Sequence, residues 1–121
     1  MEMTEPPEPP TPVQPTKFGE LDMSIEHGAG AVTIRLAGEL DVATAPRVEE
    51  ELKQAEAGED ATIVLDLSGL TFMDSTGVRL VLSAHARSRQ DSDRLRLVRG
   101  PHAVHRVFEL SGVADTLPFV A

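Results

Sequence analysis

The amino-acid sequence predicts an α/β domain built on a mixed β-sheet. Two adjoining segments near the start alternate apolar and polar side chains; from residue 44 onward, segments with helical spacing alternate with short β-branched runs. The apolar residues are almost all aliphatic: aromatics make up 3% of the chain, with no Trp or Tyr. The expected core is therefore Leu, Val, Ile and Ala packed around Phe72 and Phe108.

Leu21, Met23 and Ile25 alternate with Asp22, Ser24 and Glu26, and Val32, Ile34 and Leu36 alternate with Thr33, Arg35 and Ala37. The intervening Gly28-Ala29-Gly30 supplies a tight turn, so the pair reads as an opening antiparallel hairpin. Thr44 is placed to cap a helix whose first turn tolerates Pro46, with Ala45, Val48, Leu52 and Ala55 on one face and Gly58 as a stop. Glu49, Glu50, Glu51 and Lys53 form its solvent face.

The run ATIVLDL, residues 61–67, is a strand covered on at least one face. Val78, Val81, Leu82 and His85 recur at helical spacing, so a second helix starts at about Ser75. RLRLV is a short strand. Gly100-Pro101 opens a third helix with Val104, Val107 and Phe108 facing inward and Ser111-Gly112 closing it. TLPFV can add a last strand, confined to an edge by Pro118. Helices that follow strands in this order cross over right-handedly within one sheet.

A chain of 121 residues has room for one such domain, expected over residues 19–121. Residues 1–18 carry six prolines among Glu, Thr and Gln, and bury too little apolar surface to offset chain entropy. They are expected to form a disordered leader.

Net charge is −9, with −3 in residues 1–20, −7 in residues 21–60 and +1 in residues 61–121. That distribution has no basic stripe and argues against direct nucleic-acid binding. The one basic concentration, Arg87, Arg89, Arg94, Arg96 and Arg99, is interleaved with Asp91 and Asp93 and reads as solvated surface. There is no cysteine, hence no disulfide or thiolate metal site, and no apolar run of membrane-spanning length. With no secretory pattern at its start, the protein is expected to be cytoplasmic.

Between two core-building segments lies Asp74-Ser75-Thr76-Gly77, at the C-terminal end of a strand and the start of a helix. In α/β sheets that edge is where ligands and chemistry usually sit. Ser75 or Asp74 there serves as a helix cap in the simplest reading. Gly77 within the first turn costs about 1 kcal/mol against alanine, and what it offers in exchange is close approach of another group. A hydroxyl at that edge, with bulk removed beside it, suits a residue that another protein must reach.

Three stretches carry a resemblance to a known family: LAGELDVATAP at residues 36–46, IVLDLSGLTFMDSTGVRLVL at 63–82, and PHAVHRVFELSGV at 101–113. In order and spacing the chain resembles the anti-sigma-factor antagonists, small STAS-domain proteins of bacteria. The resemblance implies a STAS fold with three to four helices. It also implies that Ser75 is a regulatory phosphorylation site, with Thr76 as the neighbouring alternative. Asp41, Asp74, Ser75, Thr76 and Gly77 would form the partner surface. The implied partners are an anti-sigma factor that is also an ATP-dependent serine kinase, and a phosphatase that resets the switch. Within the same family the rival role is that of a subunit of a transporter or of a stress-signalling scaffold.

Enzymatic readings fit the residues poorly. Ser75 lacks a Gly-x-Ser-x-Gly elbow, because Met73 stands at the first glycine position. His85 lies roughly 15 Å along the same helix, too far to serve as its base. His102, His105 and Glu109 have metal-ligand spacing on one helix but read as surface groups beside a core stripe of Val104, Val107 and Phe108. A phosphoacceptor receiver domain would need acids at its first strand and a lysine near its last, whereas the lysines here are Lys17 and Lys53. No enzyme activity, metal or cofactor is expected.

Overall fold

The structure, a computed structural model, describes residues 20–120; the expected leader lies outside the described residues. Strands β1 (Leu21–Gly28) and β2 (Ala31–Leu40) are followed by helix α1 (Ala45–Ala57), strand β3 (Thr62–Met73), helix α2 (Ser75–Gln90), strand β4 (Leu95–Val98) and helix α3 (His102–Leu110). The four strands form one mixed sheet in the order β1-β2-β3-β4. β1 runs antiparallel to β2, while β2–β3 and β3–β4 are parallel.

The hairpin turns on Ala29 (φ 55°) and Gly30 (φ 79°), two successive left-handed residues whose twist matches that of the flanking strands. The turn therefore has two residues, with Gly28 still in the ladder opposite Ala31. The alternation read from the sequence then places Val32, Ile34 and Leu36 of β2 and Ile63, Leu65 and Leu67 of β3 under the helices. Polar residues of the other period, such as Ser24 and Arg35, are exposed. Arg35 there reaches Glu26 and Asp66.

Two register shifts break the alternation, between Arg35 and Ala37 and between Gly38 and Glu39 of β2, each setting an extra residue into β3. The first turns Leu70 inward. The second returns Met73 inward and leaves Phe72 43% exposed, so Phe72 is not a core residue. Gly69 sits at the first irregularity, where a Cβ would lie 2.7 Å from the Leu36 carbonyl oxygen. β3 thereby extends well past the apolar run that announced it.

Helix α1 buries Ala45, Val48 and Leu52. Helix α2 buries Gly77, Val78, Leu80, Val81 and Ala84, a stripe centred one position away from the expected one, which leaves Leu82 exposed. Arg87 joins the two helices, its guanidinium 2.8 Å from Glu49 and 2.9 Å from Glu56. Arg94 donates to the carbonyls of Glu56, Gly58 and Asp60 at 2.6, 3.3 and 2.7 Å, closing the C-terminal end of α1. Arg87 and Arg94 thus serve packing between elements.

Helix α3 buries Val104, His105 and Phe108. His105 is therefore not a surface group: it is 5% exposed, with its ring 4.8 Å from Phe119 in an edge-on contact. The last strand is reduced to a single bridge, Leu97 with Phe119. The Pro118 carbonyl accepts from the Leu97 amide and the Val120 amide donates to the Leu97 carbonyl, both at 2.9 Å. Pro118 has no N–H with which to extend the ladder.

Candidate functional site

Strands β2 and β3 run parallel and finish side by side, with Leu40 opposite Met73. The residues that follow, Asp41 and Asp74, start the two loops at the same edge of the sheet, and the Asp74 amide donates to the Leu40 carbonyl at 3.3 Å. The five residues singled out in the sequence are brought together here, and they divide by what their side chains do.

Asp41 is 1% exposed. Its Oδ1 accepts the amides of Ala43 at 2.9 Å and Thr44 at 3.2 Å, folding the chain back on itself into α1. Thr44 stands at the cap position but makes no side-chain capping bond. Its hydroxyl instead donates to the Glu39 carbonyl at 2.8 Å and accepts the Asp41 amide at 3.0 Å. Asp41 and Thr44 thus lock each other inside the loop. A carboxylate buried in this way shapes the surface above it.

At α2 the cap is Asp74, whose Oδ1 accepts the Thr76 amide at 2.9 Å. The Gly77 amide is satisfied by the Asp74 carbonyl at 3.0 Å. Ser75 is the first helical residue, exposed, and its hydroxyl makes no hydrogen bond with any described residue. It is not the cap. The Thr76 side chain is half-buried.

Gly77 is buried, and the close approach it permits is internal. A Cβ at this position would fall 2.4 Å from Met73 Cγ, 2.7 Å from Met73 Sδ and 3.1 Å from Leu40 Cδ2. The absent side chain lets the first turn of α2 rest on the two strand ends, so Gly77 supports the surface from below and does not contribute to it.

Beside Ser75 an open groove runs between α1 and α2, lined by Val42, Pro46, Glu49, Thr76, Arg79 and Leu80 among others. Val42 is 74% exposed, and Arg79 is exposed with no hydrogen bond or ion pair to the described residues. Neither is singled out by the sequence reading. The signals that could have found them are an apolar residue in the loop after Asp41, for Val42, and a cation four residues after Ser75, for Arg79.

The remaining candidates lie elsewhere. His102 is exposed on α3 while His105 turns into the core, and among the described residues no three His, Asp or Glu side chains are grouped to hold a metal. No helix of the described residues is long and apolar enough to cross a membrane.

A four-stranded mixed sheet whose parallel strand ends present a serine at the head of a capped helix is the architecture of a STAS domain. The family model described as "Mlab, STAS domain" matches residues 23–120, and the chain belongs to that family. It is 33% identical over 92 residues to the anti-sigma-B factor antagonist of Listeria monocytogenes, covering 76% of this chain and 81% of that protein. To the anti-sigma F factor antagonist of Paenibacillus polymyxa it is 31% identical over 99 residues, covering 81% of this chain and 85% of that one. The solved structure of the anti-sigma factor antagonist SpoIIAA in its unphosphorylated form superimposes with a TM-score of 0.69 at 29% identity, over 83% of this chain and 89% of that chain. SpoIIAA has also been solved in a phosphorylated form, with a TM-score of 0.63 at 28% identity, over 83% of this chain and 92% of that one. The family and the fold expected from the sequence are both borne out.

Proposed function

We propose that this protein is an anti-sigma-factor antagonist whose unphosphorylated form binds an anti-sigma factor through the surface around Ser75. That binding releases the sigma factor, and phosphorylation of Ser75 by the anti-sigma factor's own ATP-dependent serine kinase activity ends it. The observation that carries the reading is the state of the Ser75 hydroxyl: exposed at the head of α2, with the capping role taken by Asp74. Such a hydroxyl can be modified at little cost to the fold. Its neighbour Thr76 is half-buried, which favours Ser75 as the acceptor.

Transfer of the γ-phosphoryl group from ATP forms the Oγ–P bond and breaks the bond to ADP, and the hydroxyl proton passes to the kinase. The product carries about −1.5 to −2 charge and three acceptor oxygens. A partner shaped to a small hydroxyl beside Asp74 then meets a bulky dianion. A loss of about 3 kcal/mol is roughly a hundredfold in affinity, enough to release the partner. A phosphatase restores the hydroxyl. Asp41 and Gly77 contribute by holding the loop and the first helical turn in place, Asp74, Ser75 and Thr76 by direct contact. The relatives named above are anti-sigma factor antagonists, which favours this role over that of a transporter or scaffold subunit.

The experiment is an affinity comparison with the cognate anti-sigma factor. Ser75→Ala should bind as wild type does, and Ser75→Asp about a hundredfold more weakly. Equal binding of Ser75→Asp and wild type would overturn the reading.

A further inference from the structure

We infer that Arg79 is the residue that receives the phosphate once Ser75 is phosphorylated, forming an intramolecular ion pair along α2. The inference rests on the reading of Ser75 as the modified residue. Ser75 and Arg79 are four residues apart on one helix, and both are exposed. Residues at that spacing are neighbours on the helix surface, with Cβ atoms about 5–6 Å apart. Helical side chains tilt toward the N-terminus, so the Arg79 stem leans back over the turn that carries Ser75. Its guanidinium is uncommitted among the described residues, whereas Arg35, Arg47, Arg87 and Arg94 are all engaged with carboxylates or carbonyls. A planar fork of donors matches the oxygens of a phosphate better than any other side chain does.

Pairing would change the neighbouring surface as well as the serine. Arg79 lines the groove beside Val42, Pro46 and Leu80. Drawn onto the phosphate, it leaves that groove without its cation, so the modification adds negative charge at Ser75 and withdraws positive charge next to it.

The test installs phosphoserine at position 75 during translation, so that no kinase is required. The phosphate is then titrated by 31P NMR in the wild-type background and in Arg79→Gln. The second phosphate pKa, ordinarily near 6, should lie about half a unit or more lower in the wild-type background than in the Arg79→Gln variant. That difference should shrink on raising salt to about 0.5 M. Removing Arg89, an exposed arginine in the last turn of the same helix, should leave the midpoint where it is. Coincident midpoints in wild type and Arg79→Gln, or an equal shift from Arg89→Gln, would overturn the pairing. Because the phosphate is supplied genetically, this result is independent of whether an anti-sigma kinase modifies Ser75.

Discussion

Asp74 Oδ1 accepts the Thr76 amide hydrogen at 2.9 Å, and this bond caps the helix that begins at Ser75. Helix initiation is thereby assigned to Asp74, and the adjacent Ser75 hydroxyl is left uncommitted. Asp74→Ala should destabilise the fold by about 1 kcal/mol, in the usual range for a lost cap, while Asp74→Asn recovers most of that. Ser75→Ala, which removes no hydrogen bond, should shift stability by less than about 0.5 kcal/mol. Urea denaturation of the three variants reads the difference. A Ser75→Ala cost equal to that of Asp74→Ala would mean that the serine hydroxyl does hold the helix.

Gly77 is set against Met73 and Leu40 too closely for any Cβ. In an open helix, Gly→Ala stabilises by about 1 kcal/mol. Here the added methyl must displace Met73, itself 4% exposed, and the net result should be a loss of about 1–3 kcal/mol. Met73→Ala alone should also destabilise, by cavity formation. The two changes together should cost clearly less than their sum, because the smaller side chain at one position makes room for the larger one at the other. Strict additivity in thermal or urea unfolding would show that the contact does not govern this turn.

The surroundings of His105 favour its neutral form. Burial lowers its pKa from the ordinary value of 6.5; the positive charges of Arg99 on the loop after β4 and His102 on α3 act in the same direction, against the raising influence of Glu109. Its Nδ1 is buried with no hydrogen-bond partner, and its ring packs against Phe108 and Phe119. A proton therefore binds the unfolded chain more readily than the folded one. The stabilising contribution is present in full above the unfolded value of about 6.5 and is lost as pH falls through the lower folded value. Unfolding free energy measured from pH 7.5 down to 5 should decline more steeply in wild type than in His105→Phe. Parallel curves would show that His105 contributes nothing to the pH dependence.

The element order, the hairpin, the mixed sheet and the Asp74–Gly77 turn are legible in the sequence because each rests on short-range patterning: alternation in the strands, helical spacing after Ala45 and Ser75, glycine at the turn. What is not legible depends on contacts between distant parts of the chain. Two β-bulges, which no local pattern marks, decide that Leu70 goes in and Phe72 comes out. The resemblance places Asp41 at the partner surface, and only the folding of its loop back into α1 against the strand ends buries it. Gly77 does mark a site of close approach, but the approaching groups are the protein's own Met73 and Leu40. His105 reads as exposed because Phe119, which covers it, lies far along the chain and is held only by a bridge to Leu97.

Whether Ser75 accepts phosphate decides the regulatory role of this surface. The most direct measurement is intact and peptide-level mass spectrometry of wild type and Ser75→Ala after incubation with ATP and each anti-sigma kinase of the same cell. A single added phosphate that maps to Ser75 and disappears in the variant is the predicted result. Phosphate on Thr76, or none with any kinase while the protein is folded, would contradict it.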